Sequence, residues 1–191
     1  MMPTVPLPAP APPLMTAAEF VRLHGDESGV ELVKGRVVRC PMPGGRHGDV
    51  CSKANYYLTA YALERGTGRV MSNDTFIRVG TNPDAYRGAD VCFLSYDQLP
   101  KEQKTPTGPL EQTPELVVEV RSPTDRMNHL TAKATEYIQA GVKAVLILDP
   151  KIESAAVFRE DELPQRFSNG DEVTLPDVLP GFAVPARKFF E

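Results

Sequence analysis

The sequence predicts a mixed α/β domain: a central sheet of mixed strand direction flanked by helices. Three observations carry this reading. The run "PELVVEV" (114–120), a helical stretch with Leu130, Ala134, Tyr137 and Ile138 on one stripe, and the apolar run "KAVLILDP" (143–150) form a strand–helix–strand unit. Ahead of it, "VELVKGRVV" (30–38) reads as two short strands turning at Lys34-Gly35. A chain of 191 residues with 41% hydrophobic and 24% charged residues suits one domain with a sizeable core.

The elements follow in order. "MMPTVPLPAPAPPLM" lacks the basic start and unbroken apolar core of a signal peptide, and its prolines favour an extended or disordered arm, so residues 1–14 read as a tail. Residues 15–191 then read as the single domain. Thr16 and Glu19 form a capping-box pair that opens a helix. After the hairpin, Val50, Ala54, Tyr57, Leu58 and Tyr61 recur at helical spacing, and Gly66 ends that helix. Two strands are expected near 68–72 and 74–80, then a loop at "NPDAYRG" (82–88) and a strand in "GADVCFLSYDQ" (88–98).

The polar, proline-rich stretch 100–114 reads as a surface loop. Thr124 or Asp125 is the expected N-cap of the helix that Gly141 closes. "SAAVFRE" (154–160) reads as an edge strand and "VLPGFAVPARKFFE" (178–191) as a short closing segment.

Composition excludes several classes. The formal net charge of −4 gives no global basic field for holding nucleic acid, so such binding needs a local basic patch or a metal ion. Three cysteines, Cys40, Cys51 and Cys92, lack CxxC spacing and read as small buried fillers in a reduced, cytoplasmic setting. No stretch approaches the ~18 apolar residues that a membrane helix requires. The GxSxG elbow, the GxxxxGK[ST] phosphate loop, the GxGxxG fingerprint and HExxH are all missing.

The chemistry-bearing feature is a pair of acids in apolar strands. Strand alternation puts Val117, Glu119 and Arg121 on one face, and Asp90 on a face with Cys92 and Leu94. If the two strands are neighbours, the carboxylates can converge, and Mg²⁺ or Mn²⁺ takes such oxygen ligands, with the Val120 carbonyl as a further candidate. The ion could activate water and stabilise phosphoryl charge. Either acid alone reads equally well as a strand acid paired with Arg or Lys.

The ordered set "VELVKGRVV", "RH" opening a helix, the acid of "GADVCFL", "PELVVEVRSPTD", a K…Y…G helix, "VLILDP" and the ending "LPGFAVPARKFF" resembles the Uma-type restriction endonuclease family. That family lies within the PD-(D/E)XK nuclease superfamily, and the resemblance covers roughly residues 15–190. It implies a restriction-endonuclease-like fold in which Asp90 and Glu119 match the two metal-binding acids. Glu31 matches an N-terminal acid, a further ligand or orienting group, and His47 a histidine near the site.

Two departures stand out. Ala89 replaces the proline before the first acid, a matter of backbone shape. Arg121 fills the usual lysine position, where it cannot act as a base but could steady phosphoryl charge. The resemblance moves the lysine to the next helix, as Lys133, which flanks the inward stripe and could position the attacking water. Taken alone, Lys133 reads equally as a snorkelling side chain, His47 as exposed, and Glu31 as a hairpin acid paired with Arg36 or Arg39.

The implied activity is Mg²⁺- or Mn²⁺-dependent hydrolysis of DNA phosphodiesters by a homodimer, with Lys53, Arg69, Arg78 and Arg87 as candidate DNA-facing cations. The alternative is a catalytically inactive protein of the same fold that acts in nucleic-acid binding or assembly.

Overall fold

The computed structural model describes residues 12–191. Of the expected tail, residues 1–11 lie outside the described residues, and 12–14 carry no regular secondary structure. Helix α1 (Ala17–His24) starts at the capping box: the Thr16 hydroxyl accepts from the Glu19 N–H, and the Glu19 carboxylate accepts from the Thr16 N–H. Strands β1 (Val30–Val33) and β2 (Arg36–Arg39) form the expected hairpin, with Lys34 at φ 48° and Gly35 at φ 74°. Two successive left-handed residues match the twist of the flanking strands. Phe20 of α1 packs onto this hairpin with Val30, Leu32 and Tyr86.

Helix α2 (Gly45–Arg65) buries Val50, Ala54, Leu58 and Ala62, and ends at Gly66 in the left-handed region (φ 62°). Next come β3 (Gly68–Thr81) and β4 (Asp84–Ser95), a long antiparallel pair. The sequence predicted two strands where β3 is one, and a loop where β4 already begins. Asn73 and Asp74 do adopt turn-like left-handed conformations (φ 72° and 58°), but they form a bulge and pairing resumes at Thr75.

Strand β5 (Leu116–Val120), helix α3 (Met127–Gln139) and strand β6 (Ala144–Asp149) make the strand–helix–strand unit, and β5 and β6 are parallel. The expected N-cap is different: Arg126 occupies it without a side-chain bond, while the Asp125 carboxylate accepts from the Ser122 N–H at 2.8 Å. Gly141 follows the helix at φ 100°. Strand β7 (Ser154–Phe158) is not an edge, because β8 (Gln165–Phe167) pairs outside it. The closing segment contains a hairpin of β9 (Glu172–Leu175) and β10 (Leu179–Pro185), with a 3₁₀ turn at Ala186–Phe189.

The sheet order is β2-β1-β4-β5-β6-β7-β8, with β3 also paired to β4. Strand alternation separates two cores. Leu116, Val118 and Val120 face α2 and the closing hairpin, whereas Val117 packs with Leu130, Ala134 and Tyr137 of α3. The fold is therefore the mixed, mostly antiparallel sheet flanked by helices that the sequence predicts. Among the described residues, no helix is long and apolar enough to cross a membrane.

Candidate active site

The site lies where the sheet splits. Strand β3 takes one edge of β4, while the other edge is shared: β1 pairs at Tyr86 and β5 from Val91 onward. Between them, the edge from Arg87 to Asp90 has no strand beside it, yet buried backbone groups need partners. Side chains supply them. Glu31 on β1 accepts from the Gly88 N–H at 3.2 Å, and Lys133 on α3 donates to the Gly88 carbonyl at 2.9 Å. Asp90 accepts from the Val120 N–H at 2.7 Å, one step beyond the last β4–β5 pair, Val91 with Val118. The polar residues thus meet because they complete an interrupted ladder.

Those residues form one network. The Lys133 ammonium lies 2.9 Å from both Glu119 and Glu31. The ammonium donates to Glu119 and to the Gly88 carbonyl, with Glu31 at ion-pair distance. Tyr137, one helical turn beyond Lys133, donates its hydroxyl to Glu119 at 2.9 Å. Arg87 bridges Glu31 at 2.6 Å and Glu136 at 2.8 Å. His47, the third residue of α2, sets its Nε2 3.3 Å from the Asp90 carboxylate, with the Cys51 Sγ 3.4 Å from its Nδ1.

Burial governs the charge states. Glu119 is only 4% exposed, and its desolvation outweighs the neighbouring Lys133; with Asp90 and Glu31 adding repulsion, its carboxyl rises to about 8. Burial would lower Lys133, but Glu119 and Glu31 outweigh that and raise it above the usual lysine range. Lys133 is therefore an ammonium and not a base. Burial also works against the charged form of His47, and Asp90 overcomes it, so the imidazole is raised. Glu31 stays below the ordinary carboxylate value because Lys133 and Arg87 outweigh its burial.

A cleft of about 550 Å³ opens onto this network, and five carboxylates (Glu31, Asp74, Asp90, Glu119, Asp125) but only two permanent cations (Arg87, Lys133) line it. Such a well repels a phosphate unless a cation fills it. The donors suit a hard ion, being carboxylate oxygens beside the strand end at Val120. His47, Cys51 and Asp90 also lie with ligand atoms within 4.8 Å of one another. Burial, with Asp90 and Glu119 nearby, pushes the Cys51 thiol far up, so it offers no thiolate to a softer metal.

Of the residues singled out in the sequence, Asp90, Glu119, Lys133, Glu31, His47 and Val120 all line this cleft, and Arg121 does not. Arg121 follows the last residue of β5, where strand alternation ceases to apply. Its guanidinium donates to Asp149 at 2.7 Å and to the Asp125 carbonyl at 3.2 Å. The four cations expected to face DNA are otherwise engaged. Lys53 pairs with Asp49, Arg78 with Asp84 and Arg87 with the Glu31 network, while Arg69 donates to the Thr105 hydroxyl and to the loop carbonyls of Pro100 and Lys101.

Sequence reasoning also missed three participants. The sequence places Tyr137 on an apolar stripe, although a buried phenol needs a partner for its hydroxyl. Arg87, a candidate DNA-facing cation by sequence, instead bridges Glu31 and Glu136. Asp74 reaches the cleft from the β3 bulge, which no periodicity reveals.

Comparison with known proteins agrees with this architecture. The model of the Uma2 family, described as "Putative restriction endonuclease", matches residues 17–187. The chain belongs to this family. A crystal structure of "a putative nuclease belonging to DUF820" from Anabaena variabilis superposes with a TM-score of 0.77 at 18% identity, over 92% of this chain and 97% of that one. At that identity the likeness speaks for the fold alone. No curated protein sequence matches the chain.

Proposed function

We propose that this member of the Uma2 family is a divalent-metal-dependent endonuclease that hydrolyses phosphodiester bonds of DNA. One observation carries the reading: a carboxyl–ammonium pair, the buried Glu119 with the partly buried Lys133 at 2.9 Å, shares one anionic cleft with Asp90. The family description and the nuclease-titled neighbour support the same reaction class. Asp90 and Glu119 would hold a Mg²⁺ or Mn²⁺ ion, with the Val120 carbonyl as a third oxygen. Such an ion, when bound, supplies Lewis-acid and water-activating chemistry.

The chain's own residues do the rest. Lys133 orients the Glu119 carboxylate and keeps a positive charge beside the reacting phosphoryl group, while also donating to the Gly88 carbonyl. Glu31, itself held by Arg87, keeps that ammonium in place. Tyr137 fixes the second oxygen of Glu119. His47 orients Asp90, and its raised imidazole can give a proton to a departing oxygen. A homodimer, setting two such clefts across a duplex, and a cytoplasmic setting belong to the same proposal.

The test is metal-dependent nicking of supercoiled plasmid, with wild type against Asp90→Ala. We expect nicking with Mg²⁺ or Mn²⁺ by the wild type and a loss of about 100-fold or more in the variant, since residues that merely support a metal ligand already cost about 10–100-fold when replaced. If the wild type cuts with neither ion while still binding DNA, the inactive binding reading replaces this one.

A further inference from the structure

A second cavity, of about 380 Å³, adjoins the cleft and shares His47 with it. Its charge is opposite. Arg46, Arg121 and Lys151 line it against a single carboxylate, Asp149. Both oxygens of that carboxylate are already committed, Oδ2 to Arg121 at 2.7 Å and Oδ1 to the Lys151 N–H at 2.9 Å. Asp149 is 2% exposed, so it anchors Arg121 from below.

We propose that this cavity holds a backbone phosphate of the nucleic-acid strand, next to the phosphate that enters the carboxylate cleft. The inference rests on the nuclease reading above and adds the place where the strand is gripped. Three further observations favour it. Arg121 uses three of its five N–H groups on Asp149 and the Asp125 carbonyl, which leaves two for a ligand. Arg46 is 45% exposed and held only by 3.2 Å contacts to Asp49 and Glu153, weak surface pairs that a phosphate can displace. Lys151 is exposed, and its ammonium is unpaired among the described residues.

The backbone adds to these side chains. Helix α2 begins at this wall with no side-chain cap and no acid in its first turn, so its field adds to that of the cations. Continuity through His47 favours a chain of phosphates over a lone anion. One phosphate meets the carboxylate cleft and its neighbour meets the cations.

The experiment measures binding of a fluorescein-labelled DNA duplex by anisotropy, with Ca²⁺ replacing Mg²⁺, over a series of salt concentrations. It compares wild type, Arg46→Gln/Lys151→Gln, and the control Arg22→Gln/Arg166→Gln, whose residues lie outside both cavities. Both pairs are exposed, so folding is preserved. We expect the first variant to bind roughly tenfold more weakly and its salt slope to flatten by about two, while the control changes little.

Equal losses in both variants, an unchanged affinity and slope in the first, or a wild type that does not bind DNA would each overturn the proposal. So would a calorimetric signal for inorganic phosphate that the first variant loses while its duplex affinity stays unchanged, since that assigns the cavity to a free anion. Binding is read without turnover, so the two readings separate. Weakened binding in a chain that never cuts removes the nuclease and keeps the strand grip. Cutting by the wild type with unaltered variant affinity does the reverse.

Discussion

Lys133 and Glu119 meet at 2.9 Å although one stands on α3 and the other on β5, with Glu119 buried and Lys133 partly buried behind the gap in the edge of β4. A buried pair of this kind contributes little net stability, but breaking it strands a charge. The pair is also tied to the backbone, since Lys133 satisfies the Gly88 carbonyl. The proposed catalytic group is therefore part of the fold's own hydrogen bonding.

Replacing Lys133 by Met leaves Glu119 without its cation and Gly88 without its donor. We expect a loss of about 3–5 kcal/mol in urea unfolding above pH 8, where Glu119 is ionised in the wild type. The double variant Lys133→Met/Glu119→Leu should recover a substantial part of this, because an apolar pair needs no compensation. A double variant as unstable as the single one would show that the pair is not coupled.

Tyr137→Phe keeps the ring in its core and removes only the hydroxyl that holds Glu119. The expected cost is about 1 kcal/mol, the usual net value of one hydrogen bond. Under the proposed function, nicking should slow while DNA affinity stays unchanged, since the hydroxyl fixes a carboxylate and not the strand. Equal nicking rates would remove Tyr137 from the site.

The charge states set a pH dependence. The Glu119 carboxyl moves from an ordinary 4.5 to about 8 on folding, and His47 also moves up from 6.5. Both raised values mean that the folded chain binds more protons than the unfolded chain between roughly pH 4.5 and 8. Their contribution to stability is complete below the unfolded values and is lost as pH rises through the folded ones. Without divalent ions, the thermal midpoint of the wild type should fall from pH 5.5 to 8.5, and Glu119→Gln should flatten that slope. Parallel slopes for the two proteins would contradict the assignment.

Much of this site was legible in the sequence, and the illegible parts have physical reasons. Asp90 and Glu119 could be read because a charged residue breaks the alternation of an apolar strand, and Lys133 because it borders a 3.6-residue stripe. Arg121 misled because alternation was extended one residue past the end of β5, to a position where Asp149 captures the guanidinium. The single strand β3 reads as two in the sequence because Asn73 and Asp74 are turn-forming residue types, and in the bulge they do take left-handed conformations. Nothing local says whether the chain reverses there; the long β3–β4 pairing decides it. Strand β8 is three residues long and mostly exposed, too short to show a period.

The most direct measurement is anomalous diffraction from crystals soaked in Mn²⁺. The account predicts one strong peak in the cleft, within about 2.0–2.3 Å of oxygens from both Asp90 and Glu119. A peak bound elsewhere, or an empty cleft at saturating Mn²⁺ with those carboxylates still turned to His47 and Lys133, would contradict it.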